Sequence, residues 1–174
     1  MRCVLNSADT HDRANMTACA CLVPYISDVL VSKTRNSCCR FGDLLFDEMY
    51  PPPATAWKEH ARDWFASHVD DSTSTLLSVI DVQGSIVAAA IGTVELGVPN
   101  PQCPRGRIVR LANVITLPGH RGRGYATELV RNVITWAEVV GADRIDLSAT
   151  PDGQRIYEQL GFTLTSAPRM KLVL

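Results

Sequence analysis

The 174-residue sequence lacks the features that mark membrane proteins and nucleic-acid-binding proteins. It has no run of about eighteen apolar residues, the length that a membrane-spanning helix needs. Polar residues interrupt the chain within residues 1–6, before the apolar segment that a secretory signal needs could form. Acidic and basic residues nearly cancel, 18 against 17, so no net charge attracts polyanions. We therefore expect a cytoplasmic protein that binds neither a membrane nor a nucleic acid.

The six cysteines lack the spacing of a metal site or of a disulfide framework. Structural zinc sites repeat cysteine pairs that are about two to four residues apart. This chain instead has Cys19 and Cys21 around one alanine, a vicinal pair at 38–39, and the isolated Cys3 and Cys103. We expect reduced thiols that pack as small apolar side chains, and no metal.

The length and the 46% hydrophobic content favour one domain over residues 1–174. Residues 1–55 are the least readable part, and we interpret them as a mainly helical amino-terminal region. Its predicted elements are a strand at 2–5, a helix from residue 7 or 9 to 23, and a helix at 41–49. Three prolines at 51–53 end this region, because they cannot continue a helix.

Residues 56–174 form a core in which helical and strand periodicities alternate. Gln83-Gly84 joins two runs rich in Val, Ile and Leu and predicts a tight β-hairpin. The predicted helices are 56–68, 123–140 and 154–160, and the predicted strands are 75–82, 85–96, 107–117, 144–149, 162–165 and 170–174. This order predicts an α/β chain with a mixed sheet and helices on both faces.

The segment Arg121-Gly-Arg-Gly-Tyr-Ala126 lies between a predicted strand and a predicted helix. Its two glycines and its alanine let the backbone approach a ligand closely. The amides of a first helical turn have no intrahelical partner, and the helix dipole favours an anion there. The segment therefore predicts a binding site for a phosphate or a pyrophosphate.

Three phosphate-binding motifs can be compared with this segment. A P-loop needs Lys followed by Ser or Thr after the second glycine, and the sequence has neither pair there. A dinucleotide fingerprint needs glycine or alanine where this chain has Thr127. The segment instead matches R-x-x-G-x-A, the pattern that binds the pyrophosphate of coenzyme A.

Four segments together resemble the GCN5-related N-acetyltransferase (GNAT) superfamily over residues 57–174. They are the strand at 111–118, the turn at 121–126, Thr150-Pro-Asp-Gly153, and Tyr157-Glu-Gln-Leu-Gly-Phe162. The resemblance implies a mixed, mostly antiparallel sheet of six to seven strands, with the coenzyme bound where two central strands splay. It also implies an acyltransferase that moves the acetyl group of acetyl-CoA to a primary amine.

The resemblance implies that coenzyme-binding residues come from three places. They are the strand residues Asn113, Val114, Ile115 and Thr116, the turn residues Arg121, Gly122, Arg123, Gly124, Tyr125, Ala126 and Thr127, and the later residues Thr150 and Gly153. Many relatives have asparagine and alanine at the last two positions. This chain departs from that pattern at both positions.

Tyr157 matches the tyrosine that protonates the departing thiolate in many relatives, although packing alone would also explain a tyrosine on a short helix. Glu95, at the end of an apolar run, is our candidate for the base, and a solvated strand-end carboxylate is the alternative. Cys103 is a weaker candidate for an acyl-carrying nucleophile, because no histidine lies near it in sequence.

The acceptor stays open at the level of sequence, because the first fifty residues resemble the family only loosely. A small-molecule amine or a peptide amino group would serve, and a homodimer is one possible assembly. A non-catalytic acyl-CoA-binding or regulatory module with the same fold is the main alternative to an enzyme. A purely structural role, with the glycines as an ordinary helix entry, is the second alternative.

Overall fold

The described part of the chain forms a four-stranded sheet with a helix packed on each face. The computed structural model describes residues 56–68, 70–167 and 169–173, so the elements expected within 1–55 lie outside the described residues. In chain order the elements are helix α1 (Ala56–His68), strands β1 (Thr75–Val82), β2 (Ser85–Leu96) and β3 (Arg107–Thr116), a 3-10 helix (Pro118–His120), helix α2 (Tyr125–Val139), strand β4 (Arg144–Asp146) and helix α3 (Pro151–Gln159). No helix among these residues is long and apolar enough to cross a membrane.

The sheet has the order β1-β2-β3-β4, and only its last pair is parallel. Gln83-Gly84 connects β1 to β2 as the tight hairpin that the sequence predicted, and φ is positive at both residues. The antiparallel pairs β1-β2 and β2-β3 make up most of the sheet. The mostly antiparallel, mixed character of the predicted sheet is therefore confirmed, whereas its count of six to seven strands is not.

The two long helices lie on opposite faces of the sheet, because neighbouring strand residues point to opposite sides. Leu76 and Ile80 of β1 belong to the core cluster that contains the buried face of α2. Leu77, next to Leu76, instead packs with Phe65 of α1 and Ile91 of β2. This confirms the prediction of helices on both faces.

Helix α2 lies very close to β2 because residue 92 is glycine. A Cβ atom at Gly92 would lie 2.9 Å from Cζ3 of Trp136 and 3.1 Å from Cγ1 of Val133. Trp136 is held in place at its other end, where its indole nitrogen donates to the carbonyl of Ser72 at 2.8 Å. The side chains of Trp136 and Val133 therefore pack directly on the backbone of β2 at Gly92.

Strand β4 and helix α3 differ from their predicted bounds for physical reasons. The strand predicted at 144–149 ends at Asp146, because β4 pairs with β3 only through Ile108, Val109 and Arg110. The helix predicted at 154–160 already begins at Pro151. Proline suits the first helical position, where its missing N–H has no intrahelical partner anyway.

The prediction of two final strands is wrong for the described residues. Residues 162–167 and 169–173 form no strand, and residue 174 lies outside the described range. A strand needs a neighbour to which its backbone can hydrogen-bond, and an alternating apolar pattern alone does not supply one. Leu164, Met170, Leu172 and Val173 are at least three-quarters exposed.

The close contact at Gly92 makes a testable prediction. Gly92→Ala places a methyl group against the Trp136 ring, and overpacking of this kind destabilises proteins by about 1–3 kcal/mol. Gly97→Ala is the matched control, since the nearest atom to its Cβ lies 4.0 Å away. Urea unfolding should show the loss only for Gly92→Ala, and equal stabilities for the two variants would contradict the packing described here.

Candidate active site

The turn before α2 leaves its backbone amides open to a ligand. Gly122 and Gly124 have φ values of 75° and 81°, in the left-handed region that favours glycine. Gly124 is the amino-terminal cap of α2, and no side chain caps this helix end. A Cβ atom at either glycine would meet nothing within 4 Å, so the space beside the turn is free. The first-turn amides therefore face an open, electropositive helix end.

The turn is held in place from the end of β3. The guanidinium of Arg121 donates through Nε to the carbonyl of Thr116 at 3.1 Å. The Arg123 side chain is exposed and adds a second positive charge. Two buried atoms nearby, Oγ1 of Thr116 and Nδ1 of His120, have no hydrogen-bond partner. Open amides, two cations and unpartnered polar atoms together fit a pyrophosphate-bearing ligand.

Tyr125 contributes to this turn through its backbone alone. Its side chain is 5% exposed and lies in the core cluster under α2. Ala126 and Thr127 are half-buried in the first turn of α2. There the amide of Glu128 donates a hydrogen bond to the carbonyl of Gly124 at 3.1 Å. The predicted turn residues are therefore adjacent to one another, with the aromatic ring directed away from the open side.

Strand β3 contains a bulge within the segment predicted to line the pantetheine. Ala89 pairs with Ile115 and Ile91 with Ala112, so Ala90 alone faces the two residues Asn113 and Val114. Asn113 has φ of 52°, which is uncommon for a residue other than glycine. A bulge interrupts the ladder and leaves its extra residue unpaired.

Strands β3 and β4 separate after the pair Arg110 and Asp146. An open cleft of about 1080 Å³ lies between β4 and the segment that follows α3. Its lining includes Arg110 and Asp146 from the sheet, Ser148 after β4, and Tyr157 from α3. The strands thus separate where the family resemblance implied, whereas the cleft lies beyond β4 and is lined by neither residues 113–116 nor residues 121–127.

Tyr157 borders this cleft on the α2 side of the sheet. Its ring packs edge-on against Phe162 with 5.8 Å between the ring centroids. It also borders the core cluster that includes α2. Burial raises the pKa of the Tyr157 phenol, so the hydroxyl keeps its proton at neutral pH. The side chain is thus packed along its ring and carries a protonated hydroxyl group.

The other two residues predicted near the pantetheine lie directly beneath Tyr157. The Thr150 hydroxyl accepts a hydrogen bond from the Gly153 amide at 3.3 Å and caps α3. A Cβ at Gly153 would lie 3.4 Å from Cε2 of the Tyr157 ring. The small residue therefore leaves room for the ring, and the threonine fixes the helix that carries the tyrosine.

Glu95 lies on the other side of the sheet from Tyr157 and is paired with an arginine. Its carboxylate accepts two bonds from Arg110, from Nε at 3.2 Å and from Nη2 at 3.1 Å. The Glu95 side chain is 49% exposed. Arg110 was not identified from the sequence. Strand alternation could have predicted that its side chain points away from the core, because Val109 and Leu111 on either side are buried. Its pairing with Glu95 could not be predicted, because it depends on the register of β2 against β3.

Cys103 belongs to a structural network rather than to the cleft. It is 1% exposed, and its thiol donates to Oδ2 of Asp143 at 3.1 Å. The same oxygen accepts from the amides of Arg105 and Arg107 at 2.9 and 3.2 Å. Burial first, and then the Asp143 carboxylate, raise the pKa of this thiol, which disfavours a nucleophilic thiolate.

The Asp143 network holds the proline-containing loop between β2 and β3 against the end of α2. Arg107 donates to the carbonyl of Val140, and Arg105 donates to that of Gly141 at 3.3 Å. These bonds satisfy carbonyl groups at the carboxyl end of α2. No cluster of three metal-binding side chains occurs within residues 56–68, 70–167 and 169–173.

Residues 40–162 match the sequence model of the acetyltransferase (GNAT) family. The chain belongs to the GNAT family. This confirms the resemblance that the motif segments indicated, and members of the family are acetyltransferases. No curated protein matches the sequence as a whole.

Solved GNAT structures share the fold at low sequence identity. A predicted acetyltransferase from Clostridium acetobutylicum, crystallised with acetyl-CoA, has a TM-score of 0.66 at 21% identity, covering 83% of this chain and 88% of its own. Aminoglycoside N-acetyltransferase AAC(6')-Iy in complex with CoA has a TM-score of 0.66 at 16% identity, covering 94% and 98%. Glucosamine-6-phosphate N-acetyltransferase from Arabidopsis thaliana has a TM-score of 0.64 at 17% identity, covering 82% and 92%.

Proposed function

We propose that this GNAT chain transfers the acetyl group of acetyl-CoA to a primary amine. The observation that carries the proposal is the open turn at the start of α2, where two glycines in the left-handed region expose uncapped amides. The family membership and the coenzyme bound in two neighbouring structures support it. The protein would work in the cytoplasm, as a monomer or a homodimer, and without a metal.

The coenzyme would be held by the turn and by β3. The amides from Gly122 to Thr127 would bind the pyrophosphate, with Arg121 and Arg123 adding charge. The residues from Asn113 to Thr116 would bond to the pantetheine through their backbone, as an added strand would. Thr150 and Gly153 would border its far end through the first turn of α3.

Acetyl-CoA supplies an acyl carbon activated as a thioester. Glu95, directly or through water, would take the proton that the attacking amine loses. A backbone amide at Val114 or Ile115, beside the bulge, would stabilise negative charge on the carbonyl oxygen. Tyr157 would give its hydroxyl proton to the departing sulfur, which releases free coenzyme A. Glu95 and Tyr157 lie on opposite faces of the sheet, so the two proton transfers would occur on separate sides of the strand opening.

The acceptor would be a small-molecule amine or a peptide amino group. Two neighbouring structures are of enzymes named for aminoglycosides and for glucosamine-6-phosphate, and both are amine-bearing small molecules. The alternative, a non-catalytic module that only binds acyl-CoA, has some support from a neighbour described as a transcriptional regulator from Bacillus halodurans. Coenzyme binding without thiol release against a broad amine panel would favour the module.

The coenzyme site can be tested by calorimetry on Gly124→Val. Valine strongly disfavours the φ of 81° at this position, so the turn would lose the conformation that exposes its amides. We expect acetyl-CoA affinity to fall at least about tenfold, which is about 1.4 kcal/mol. Gly119→Val is the control, because its Cβ meets nothing within 4 Å and its φ is ordinary. Unchanged affinity for Gly124→Val would refute the site.

The role of Tyr157 can be tested with Tyr157→Phe. The substitution keeps the ring and its contact with Phe162 but removes the hydroxyl group, so kcat should fall by about tenfold to a thousandfold. Acetyl-CoA affinity should stay nearly unchanged in calorimetry. A full-rate variant would show that another group or solvent protonates the sulfur, and a variant that loses coenzyme binding would show that the hydroxyl anchors the ligand.

A further inference from the structure

Four charged side chains come together on the face of the sheet opposite α2. Val109 and Leu111 of β3 are buried in the cluster that includes α2, so Arg110 between them points to the other face. The same alternation directs Glu95 away from Val94. In β4, Arg144 and Asp146 flank Ile145, which borders the α2 cluster.

In this group Arg110 pairs with Glu95, and Arg144 pairs with Asp146 at 3.1 Å. The two bonds of Arg110 to Glu95 form the parallel fork of a bidentate guanidinium–carboxylate pair. Asp146 is the register partner of Arg110 across the parallel β3-β4 pair. The pKa of Arg110 is raised chiefly by the hydrogen bond to Glu95, and the charge of Asp146 adds to this against partial burial.

The position of Arg110 links the candidate base to the cleft. The pair Arg110 and Asp146 is the last rung before β3 and β4 separate. Arg110 and Asp146 line the same cleft as Tyr157. Each Glu95 oxygen bound to Arg110 still has a lone pair that can accept a proton from an amine or a water.

We propose that Arg110 is a positioning residue that aims the Glu95 carboxylate at the attacking amine. This inference rests on the proposed acetyltransferase function. The long glutamate side chain has several rotamers, and two parallel hydrogen bonds select one of them before the acceptor arrives. In the reaction, the proton leaves the acceptor nitrogen, ends on Glu95 and passes to solvent, while Arg110 keeps all its protons.

The test is a double-mutant cycle in a thiol-release assay with an amine that the wild-type protein accepts. Arg110→Met should lower kcat about tenfold and leave the KM for acetyl-CoA within about twofold. Arg110→Lys keeps the charge without the fork, so it should restore only part of the rate. Arg131→Met is the matched control, since Arg131 is exposed on α2 and makes no ion pair among the described residues.

The decisive comparison is made in the Glu95→Gln background. If Arg110 acts through Glu95, adding Arg110→Met to Glu95→Gln should cause no further loss of kcat. The inference would be overturned if Arg110→Met lowered kcat by the same factor in the wild-type and Glu95→Gln backgrounds. Full activity of Glu95→Gln would overturn it as well. An ion pair that serves only the fold would lower the melting temperature and leave kcat unchanged, which would also overturn it. Absence of thiol release by the wild-type protein with every amine tested would instead be a failure of the proposed function.

Discussion

The packing of α2 against β2 is the constraint on which the site depends. Gly92 has no Cβ, and this lets Trp136 and Val133 lie directly on the strand. Once the helix is fixed there, its amino terminus must meet the end of β3 through the short segment between Thr116 and Tyr125. The amides at the start of α2 are therefore positioned by a contact in the carboxyl-terminal half of the helix, since an α-helix is rigid along its length.

Two departures from regular pairing flank β3, and both lie where we propose that the coenzyme enters. The bulge opposite Ala90 interrupts pairing on one side of β3, and the short β4 interrupts it on the other. Backbone groups freed in this way must bond to water or to a ligand. The Asp143 network keeps the β3-β4 pair closed before Arg110, so the opening begins at a defined residue.

Local sequence patterns predicted most helices and strands and the glycine turn before α2. Features that depend on the pairing of distant strands could not be predicted in this way. The hairpin at Gln83-Gly84 and the helix over residues 56–68 follow from periodicity and turn chemistry, and both are present as expected. The strand at 144–149 was too long, because its length depends on how far β3 stays beside it. The fork between Glu95 and Arg110 joins residues fifteen positions apart, and only the register of β2 against β3 brings them together.

The most direct test of the central claim is an amide NMR titration of the intact protein with coenzyme A. If the pyrophosphate binds at the start of α2, the amide signals of Gly122, Gly124 and Ala126 should shift with the same dissociation constant. The amide of Gly84, in the β1-β2 hairpin, should stay in place. Saturable coenzyme binding that leaves the three turn amides unchanged would contradict the site proposed here.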